Sequence, residues 1–228
     1  MKKSGSDLTR FELLYADEQC IGLHKDPGIP CQSKDLEGPE PLDRSLQIYL
    51  NEPVRIWTRI DQPVSGVVLF YRDRLSPINT TLKVIEKIYL AIVEGHPEQG
   101  QTIISYLNRD GRKMKAYESP DGKKAELSYD ILHQFDRYTL LQVRPATGRF
   151  HQIRQQLSWI GHPVKGDVKY GARRKNPDRS IHLHALRYTI QDHHQVPVEV
   201  YDLSLPDDPL WNLTRPFIPP AKSIAIHS

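Results

Sequence analysis

Short apolar runs, interrupted every few residues by proline, glycine or charged residues, predict a chain built mainly from β-strands. The segment FELLYADEQCIGLHKDPGIP (11–30) is typical of two strands around an Asp-Glu turn, ended by proline and glycine. GVVLFYRD (66–73) is a continuous apolar run, which indicates a strand buried on both faces. The pattern predicts further strands at KIYLAIVEG (87–95), AELSYDILHQF (125–135), YTLLQVRP (138–145), HLHALRYTI (182–190) and VPVEVYDL (196–203).

Three stretches predict helices. LDRSLQIYL (42–50) is a short candidate. Ser76 followed by Pro77 is a favourable helix start, since serine caps a helix and proline suits its first position. The apolar residues that follow at helical spacing are Ile78, Leu82, Ile85 and Ile88. A third helix is expected over residues 149–160, where one stripe comprises Phe150, Ile153, Leu157 and Ile160.

Strands and helices mix along the chain without a regular strand–helix–strand alternation. The pattern therefore predicts an α+β fold with a mixed, mainly antiparallel sheet. No linker-like stretch divides the sequence. We expect one domain over residues 10–215, between a flexible N-terminus at 1–9 and a C-terminal tail at 216–228.

Composition narrows the class of protein. The 228 residues are 38% hydrophobic, which is enough to bury a core and excludes a wholly disordered chain. No apolar run is long enough to cross a bilayer, and the first residues lack the apolar segment of a signal peptide. Cys20 and Cys31 are too few for a disulfide framework. We therefore expect a cytoplasmic protein without membrane contact.

The distribution of charge is more informative than the net charge of +3, which is weak evidence for nucleic-acid binding. Basic residues cluster in two segments: Arg109, Arg112, Lys113, Lys115, Lys123 and Lys124 in the first, and Lys165, Lys169, Arg173, Arg174 and Lys175 in the second. Two such clusters could follow a phosphate backbone. They could equally be two solvated loops.

Several reaction classes find no support in the motifs. The ten histidines lack the spacing of a metal site, and no glycine-rich loop for a nucleotide phosphate is present. Asp61 remains as a candidate, because it directly precedes a proline turn and a buried strand, where a side chain can be held rigidly over a cleft. An aspartate before a turn is also typical of a simple Asx-turn.

Arg154 is the second candidate. In the helix over 149–160 it lies beside the apolar stripe, with His151 and Ser158 further round on the same flank. An arginine at that edge could meet a buried carboxylate and keep it ionised. It could also extend its guanidinium to solvent.

Three segments occur together in a characteristic order: TRIDQPVSG (58–66), KIYLA (87–91), and GRFHQIR continuing to GHPVKGDVKYG (148–171). They resemble the HRLDxxTSG, K-x-Y-x-A and GRTHQIR with GHP-x-x-GD-x-x-YG motifs of the RluA-type family of RNA pseudouridine synthases. Weaker matches are HKDPG (24–28), the K-M segment (113–132) and the late L-H-A strand (181–188). The resemblance extends from about residue 11 to residue 203.

The chain departs from the family pattern at three positions of the first motif. Thr58 stands in place of histidine, Ile60 in place of leucine and Val64 in place of threonine, whereas Asp61 and Arg59 are kept. We interpret this as a divergent, active branch, with the substitutions bearing on the RNA target.

The resemblance implies a pseudouridine synthase fold, with the sheet flanked by helices and loops around a central RNA-binding cleft, and a stand-alone catalytic domain without the N-terminal RNA-binding domain of many relatives. It implies an isomerisation that detaches uracil from C1′ of ribose and rejoins it through C5, with no cofactor, nucleotide or metal. Asp61 would be the essential carboxylate, Tyr89 would stack on the base, and Arg154 would pair with Asp61.

By the same resemblance, the partner is a stem-loop of tRNA or rRNA, bound by a monomer. The target uridine would be flipped out, and Arg59 would take its vacated place. The other candidate RNA-binding or cleft-shaping residues are Arg149, His151, Gln152, Lys113, Lys115, Lys165 and Lys169.

Two alternatives stay open. A non-catalytic RNA-binding or RNA-folding protein could use the same scaffold, although it would not need a buried carboxylate among phosphates. A hydrolase using Asp61 and His151 is a further alternative, but nothing in the sequence specifies a base that would activate water.

Overall fold

A computed structural model describes residues 12–32, 38–72, 82–191 and 196–220. The strands in these ranges are β1 (Leu13–Ala16), β2 (Cys20–Lys25), β3 (Val54–Ile56), β4 (Ser65–Arg72), β5 (Lys83–Glu94), β6 (Thr102–Asp110), β7 (Lys115–Glu118), β8 (Lys123–Gln134), β9 (Tyr138–Pro145), β10 (Leu183–Gln191) and β11 (Pro197–Tyr201). The α-helices are α1 (Leu42–Leu50), α2 (Gln152–Trp159) and α3 (Pro209–Thr214). None of these helices is both long and apolar enough to span a bilayer.

All described strands join one sheet in the order β1-β2-β4-β10-β5-β9-β8-β6-β7, with β3 added to β4 and β11 to β10. The pairing of β4 with β10 is parallel, and the other pairings between these strands are antiparallel. The predicted α+β class with a mixed, mainly antiparallel sheet is confirmed.

The parallel junction between β4 and β10 requires glycine at position 66. Gly66 has a φ of +113°, and a Cβ atom there would lie 2.3 Å from the carbonyl oxygen of Ala185. Any side chain would therefore both strain the backbone and separate the two strands. Because Gly66 follows Asp61 by five residues, this close contact also anchors the segment that carries the candidate carboxylate.

The centre of the sheet is buried on both faces. On one face of β5, Tyr89, Ala91 and Val93 belong to a core that includes Ile153 and Leu157 of α2. On the other face, the alternating residues pack with residues of β10 and α3 in a second core, formed by Ile88, Leu90, Ile92, Leu140, Leu186, Leu205 and Trp211. The sheet thus separates α2 from α3, and the candidate site lies on the α2 side.

Most elements predicted from apolar patterning are confirmed. The helix at 42–50 and the strands of β1, β2, β4, β8, β9, β10 and β11 occur within a few residues of the expected bounds. Helix α2 begins at Gln152 rather than at residue 149, because His151 has a left-handed backbone with a φ of 51°. The pattern missed β3, β6, β7 and α3.

The helix predicted from Ser76 is wrong in its second half, and residues 73–81 lie outside the described ranges. Ile85 and Ile88 belong to β5, where Ile85 is 53% exposed. The apolar spacing suggested a helical stripe, but β5 satisfies its backbone along β10 from Gln191 to Leu183. Long-range pairing here overrides the local pattern.

The structure describes only part of the predicted terminal segments. The expected flexible N-terminus at 1–9 lies outside the described residues. At the other end, the chain continues past the expected boundary at 215 into a short 3₁₀ turn, Arg215–Phe217. The hydroxyl of Tyr201 donates a hydrogen bond to the carbonyl of Pro219 at 2.6 Å, so the described part of the tail is tied to β11.

Candidate active site

A cleft of about 1130 Å³ opens over the α2 side of the sheet. Distant segments line it: the approach to β4, the first half of β5, the β6–β7 hairpin, the start of α2, and the approach to β10. Of the predicted site residues, the cleft collects Arg59, Asp61, Tyr89, Arg149, His151, Gln152, Arg154 and Lys169.

Asp61 is held by its neighbours in the chain. Its carbonyl accepts a hydrogen bond from the amide of Val64 at 3.0 Å, which closes the turn before β4. The carbonyl of the next residue, Gln62, accepts from the amide of Gly28 at 2.7 Å and from the ammonium of Lys25 at 3.1 Å. The carboxylate itself is one-quarter exposed, so it is anchored yet open to the cleft.

Arg154 connects Asp61 to a second carboxylate. One of its Nη atoms donates to Asp61 Oδ2 at 2.9 Å, while Nε and the other Nη donate to the two oxygens of Asp167 at 2.6 and 2.8 Å. Burial disfavours the charge, but the hydrogen bonds to Asp167 outweigh it and raise the pKa of Arg154. The guanidinium is therefore permanently charged and fixed in position.

Sequence analysis did not single out Asp167, which is 2% exposed. It follows Gly166 in the GHPVKGDVKYG segment, and that motif was the available signal. Only the fold shows that Asp167 accepts two hydrogen bonds from the guanidinium, while Asp61 accepts one.

Burial and neighbouring positive charges keep His151 neutral. The Tyr170 hydroxyl accepts a hydrogen bond from the amide of Ala116 at 2.7 Å and lies at hydrogen-bond distance, 2.9 Å, from Nδ1 of His151. Burial, together with the charges of Arg154 and Lys169, lowers the pKa of His151 to about 3. The imidazole is thus neutral at physiological pH.

His151 is therefore neither an ion partner nor a base for Asp61. The distance from Nε2 to Asp61 Oδ2 is 3.6 Å, which is too long for a hydrogen bond, and the imidazole carries no charge. The lowered pKa makes the imidazole a poor acceptor for a proton from water. This arrangement disfavours the hydrolase alternative.

Tyr89 contributes its ring to the cleft from the centre of β5 and is 8% exposed. Its hydroxyl lies 2.6 Å from that of Tyr188 on β10, and burial raises the pKa of Tyr89. The neutral hydroxyl is thus fixed within the wall.

The predicted RNA-contacting residues divide by position. Arg59 and Arg149 are exposed in the cleft wall. On the β6–β7 hairpin, Lys113 is exposed and the ammonium of Lys115 lies 4.9 Å from the ring centre of Tyr170. Lys169 donates to the carbonyl of Met114 at the tip of the same hairpin, at 3.1 Å.

Two other predicted contacts are engaged inside the protein. Gln152 is 4% exposed, and its amide binds Thr147, the backbone of Arg149 and the carbonyl of Glu126. Lys165 is absent from the lining of the cleft, and its ammonium donates to the side chain of Asn176. The structure therefore places Gln152 beneath the loop that enters α2 and Lys165 beside Asn176.

Comparison with known proteins is consistent with this arrangement. Residues 19–159 match the family described as RNA pseudouridylate synthase. The tRNA pseudouridine synthase C of Haemophilus ducreyi is 30% identical over 73% of this chain and 76% of its own length. An uncharacterized RNA pseudouridine synthase of Chloroflexus aurantiacus is 37% identical over 57% of this chain and 40% of its own length. The chain thus spans between 40% and 76% of the length of these two relatives.

Solved structures share the fold. Human RNA pseudouridylate synthase domain containing 1 superposes with a TM-score of 0.68 at 23% identity, covering 88% of this chain and 86% of that one. Human RNA pseudouridylate synthase domain containing 4 gives a TM-score of 0.68 at 20% identity, covering 91% and 93%. With the family match extending over more than half of the sequence, the chain belongs to the RNA pseudouridylate synthase family.

Proposed function

We propose that this protein isomerises uridine to pseudouridine in tRNA or rRNA, with Asp61 as the reacting carboxylate. The observation that carries the proposal is that the two oxygens of the Asp61 carboxylate have different surroundings. Oδ2 accepts from Arg154, whereas Oδ1 has no hydrogen-bond partner among the described residues, and the side chain is one-quarter exposed in the cleft. A charged oxygen fixed beside a cavity is what a reaction at ribose C1′ or at the base requires.

The proposed reaction breaks the bond between C1′ and N1 of the nucleotide and forms a bond between C1′ and C5. N1 gains a proton and C5 loses one, so the reaction consumes neither water nor an oxidant. Asp61 would attack C1′, assist a glycal intermediate or add to the base. In each case Arg154 would hold the carboxylate in one orientation, and Asp167 would hold Arg154.

The cleft also suits a uridine that has left its RNA helix. A base inside a helix cannot reach Asp61, so the nucleotide must rotate out of the stack. Arg59 is exposed two residues before Asp61, where it can enter the space left in the RNA. The ring of Tyr89 offers an apolar surface in the cavity wall for the flipped base.

Release of tritium from uridine C5 tests this function. Purified protein is incubated separately with bulk tRNA and bulk rRNA that carry tritium at C5 and come from cells lacking such modification. We expect release into water from one pool and a matching quantity of pseudouridine in nuclease digests. Absence of release from both pools, with RNA still bound, would instead support the non-catalytic RNA-binding protein.

The β6–β7 hairpin provides a prediction about RNA affinity. Replacing Lys113 and Lys115 together by alanine should weaken binding and lower the dependence of log Kd on log salt by up to about two, one for each phosphate contact. The measurement is a titration of bulk tRNA at several KCl concentrations. Lys83 and Arg215 are exposed and lie outside the cleft lining, so their double alanine variant is the matched control. An unchanged salt slope in the hairpin variant would remove the hairpin from the RNA surface.

A further inference from the structure

Lys87 is a cation of the cleft for which the described part of the chain offers no partner. It precedes Tyr89 by two residues on β5, and alternate residues of a strand share a face. The Lys87 side chain accordingly lines the cleft beside Tyr89. Within the described ranges no carboxylate, carbonyl or aromatic ring holds its ammonium.

Four other cationic side chains in or near the cleft contrast with Lys87. Lys25 donates to two backbone carbonyls, and Lys169 donates to the carbonyl of Met114. Arg109 lies over the ring of Phe150, with 4.4 Å from Cζ to the ring centre, and Arg154 binds two carboxylates. Each of these four charges is balanced or occupied within the protein. Arg59 and Arg179 also line the cleft, but they are exposed to solvent, whereas Lys87 is half-buried.

The partial burial of Lys87 makes its unpaired ammonium energetically unfavourable. The side chain is half-buried, and burial alone lowers its pKa. Its ammonium lies close to Gly148, where a Cβ atom would be 3.4 Å from Nζ. The missing side chain at Gly148 therefore leaves space at the ammonium, in the loop that leads to α2. A partly buried cation with open space beside it is stabilised when an anion enters.

We propose that Lys87 and the adjacent backbone at Gly148 form a phosphate subsite for the RNA strand that carries the target uridine. The inference rests on the proposed function, because it assumes that a nucleotide enters the cleft. The flipped nucleotide has a phosphate on each side. A phosphate beside the Tyr89 ring would pair with the Lys87 ammonium and neutralise its charge. This contact would hold the strand while Asp61 reacts.

RNA titrations test the subsite without requiring turnover. Lys87→Gln and Lys87→Arg are made in protein that also carries Asp61→Asn, and fluorescent bulk tRNA and rRNA fragments are titrated at several KCl concentrations. Lys83→Gln is the matched control, because Lys83 lies on the same strand but is exposed and outside the cleft lining. Thermal melts establish that each variant is folded.

We expect Lys87→Gln to weaken binding about tenfold at low salt and to lower the salt slope by about one, whereas Lys87→Arg and Lys83→Gln retain the slope. An unchanged affinity and slope for Lys87→Gln would overturn the subsite while leaving the proposed function intact. A loss of affinity that is equal at every salt concentration would identify a neutral contact, such as one to the base, and would also overturn it. Failure of the Lys87-containing protein to bind either RNA would refute the proposed function and the subsite together.

Discussion

Asp61→Asn is expected to reduce tritium release from uridine C5 by at least about a thousandfold, because it removes the charged oxygen that the reaction uses. The asparagine carbonyl can still accept from Arg154, and Arg154 keeps both hydrogen bonds to Asp167. We therefore expect the thermal unfolding midpoint and RNA affinity to change little. The three measurements are tritium release, a thermal melt and RNA titration on the same preparations.

Asp136→Asn is the matched control for this variant. Asp136 is an exposed aspartate in the turn between β8 and β9, outside the cleft lining, so the same chemical change there should leave turnover unaltered. Retention of turnover by Asp61→Asn would contradict the assigned role. A loss of RNA binding together with turnover would show that Asp61 contributes to binding instead of to the chemical step.

Asp167→Asn is expected to lower the free energy of unfolding by about 3 kcal/mol, because it removes one carboxylate from a buried arginine that is left only partly paired. Turnover should fall further than the loss of folded protein explains, since the guanidinium would no longer be held against Asp61. Urea unfolding followed by circular dichroism gives the stability, and tritium release at a temperature where the variant is folded gives the activity.

The combined variant Arg154→Met, Asp167→Leu separates stability from site geometry. Replacing both partners by apolar side chains of similar size removes the unpaired charge, so stability should return toward that of the starting protein. Turnover should not return, because no guanidinium remains beside Asp61. Asp167→Asn with unchanged stability and turnover would show that the pair between Arg154 and Asp167 has neither role.

Local sequence patterns predicted those elements whose conformation is reflected in their own residues. The strand β4 is apolar at successive positions because both of its faces are covered, and such a run is visible without the fold. Helix α1 begins and ends where its pattern indicated. The segment after Ser76 was misread because Ile85 and Ile88 have a spacing compatible with a helix, whereas pairing along β10 makes them part of a strand.

The candidate carboxylate and its arginine were also visible in the sequence, but their relation was not. Asp61 and Arg154 are 93 positions apart, and only the packing of α2 over the sheet places them 2.9 Å from each other. Arg154 also binds Asp167, and this contact depends on how the loop after α2 folds back against the helix. A distance between side chains is a property of the packed chain, which residue spacing does not contain.

The lysines also show which properties follow from the sequence and which require the tertiary structure. By itself, the sequence determined that the chain forms a mixed sheet with few helices, carries an aspartate before a buried strand, and concentrates its basic residues in two segments. The sequence alone does not distinguish Lys165 from Lys87, since both are simply basic residues. The tertiary structure alone decided that Lys165 is engaged by Asn176 while Lys87 is free in the cleft, because burial and partners depend on residues that are distant along the chain.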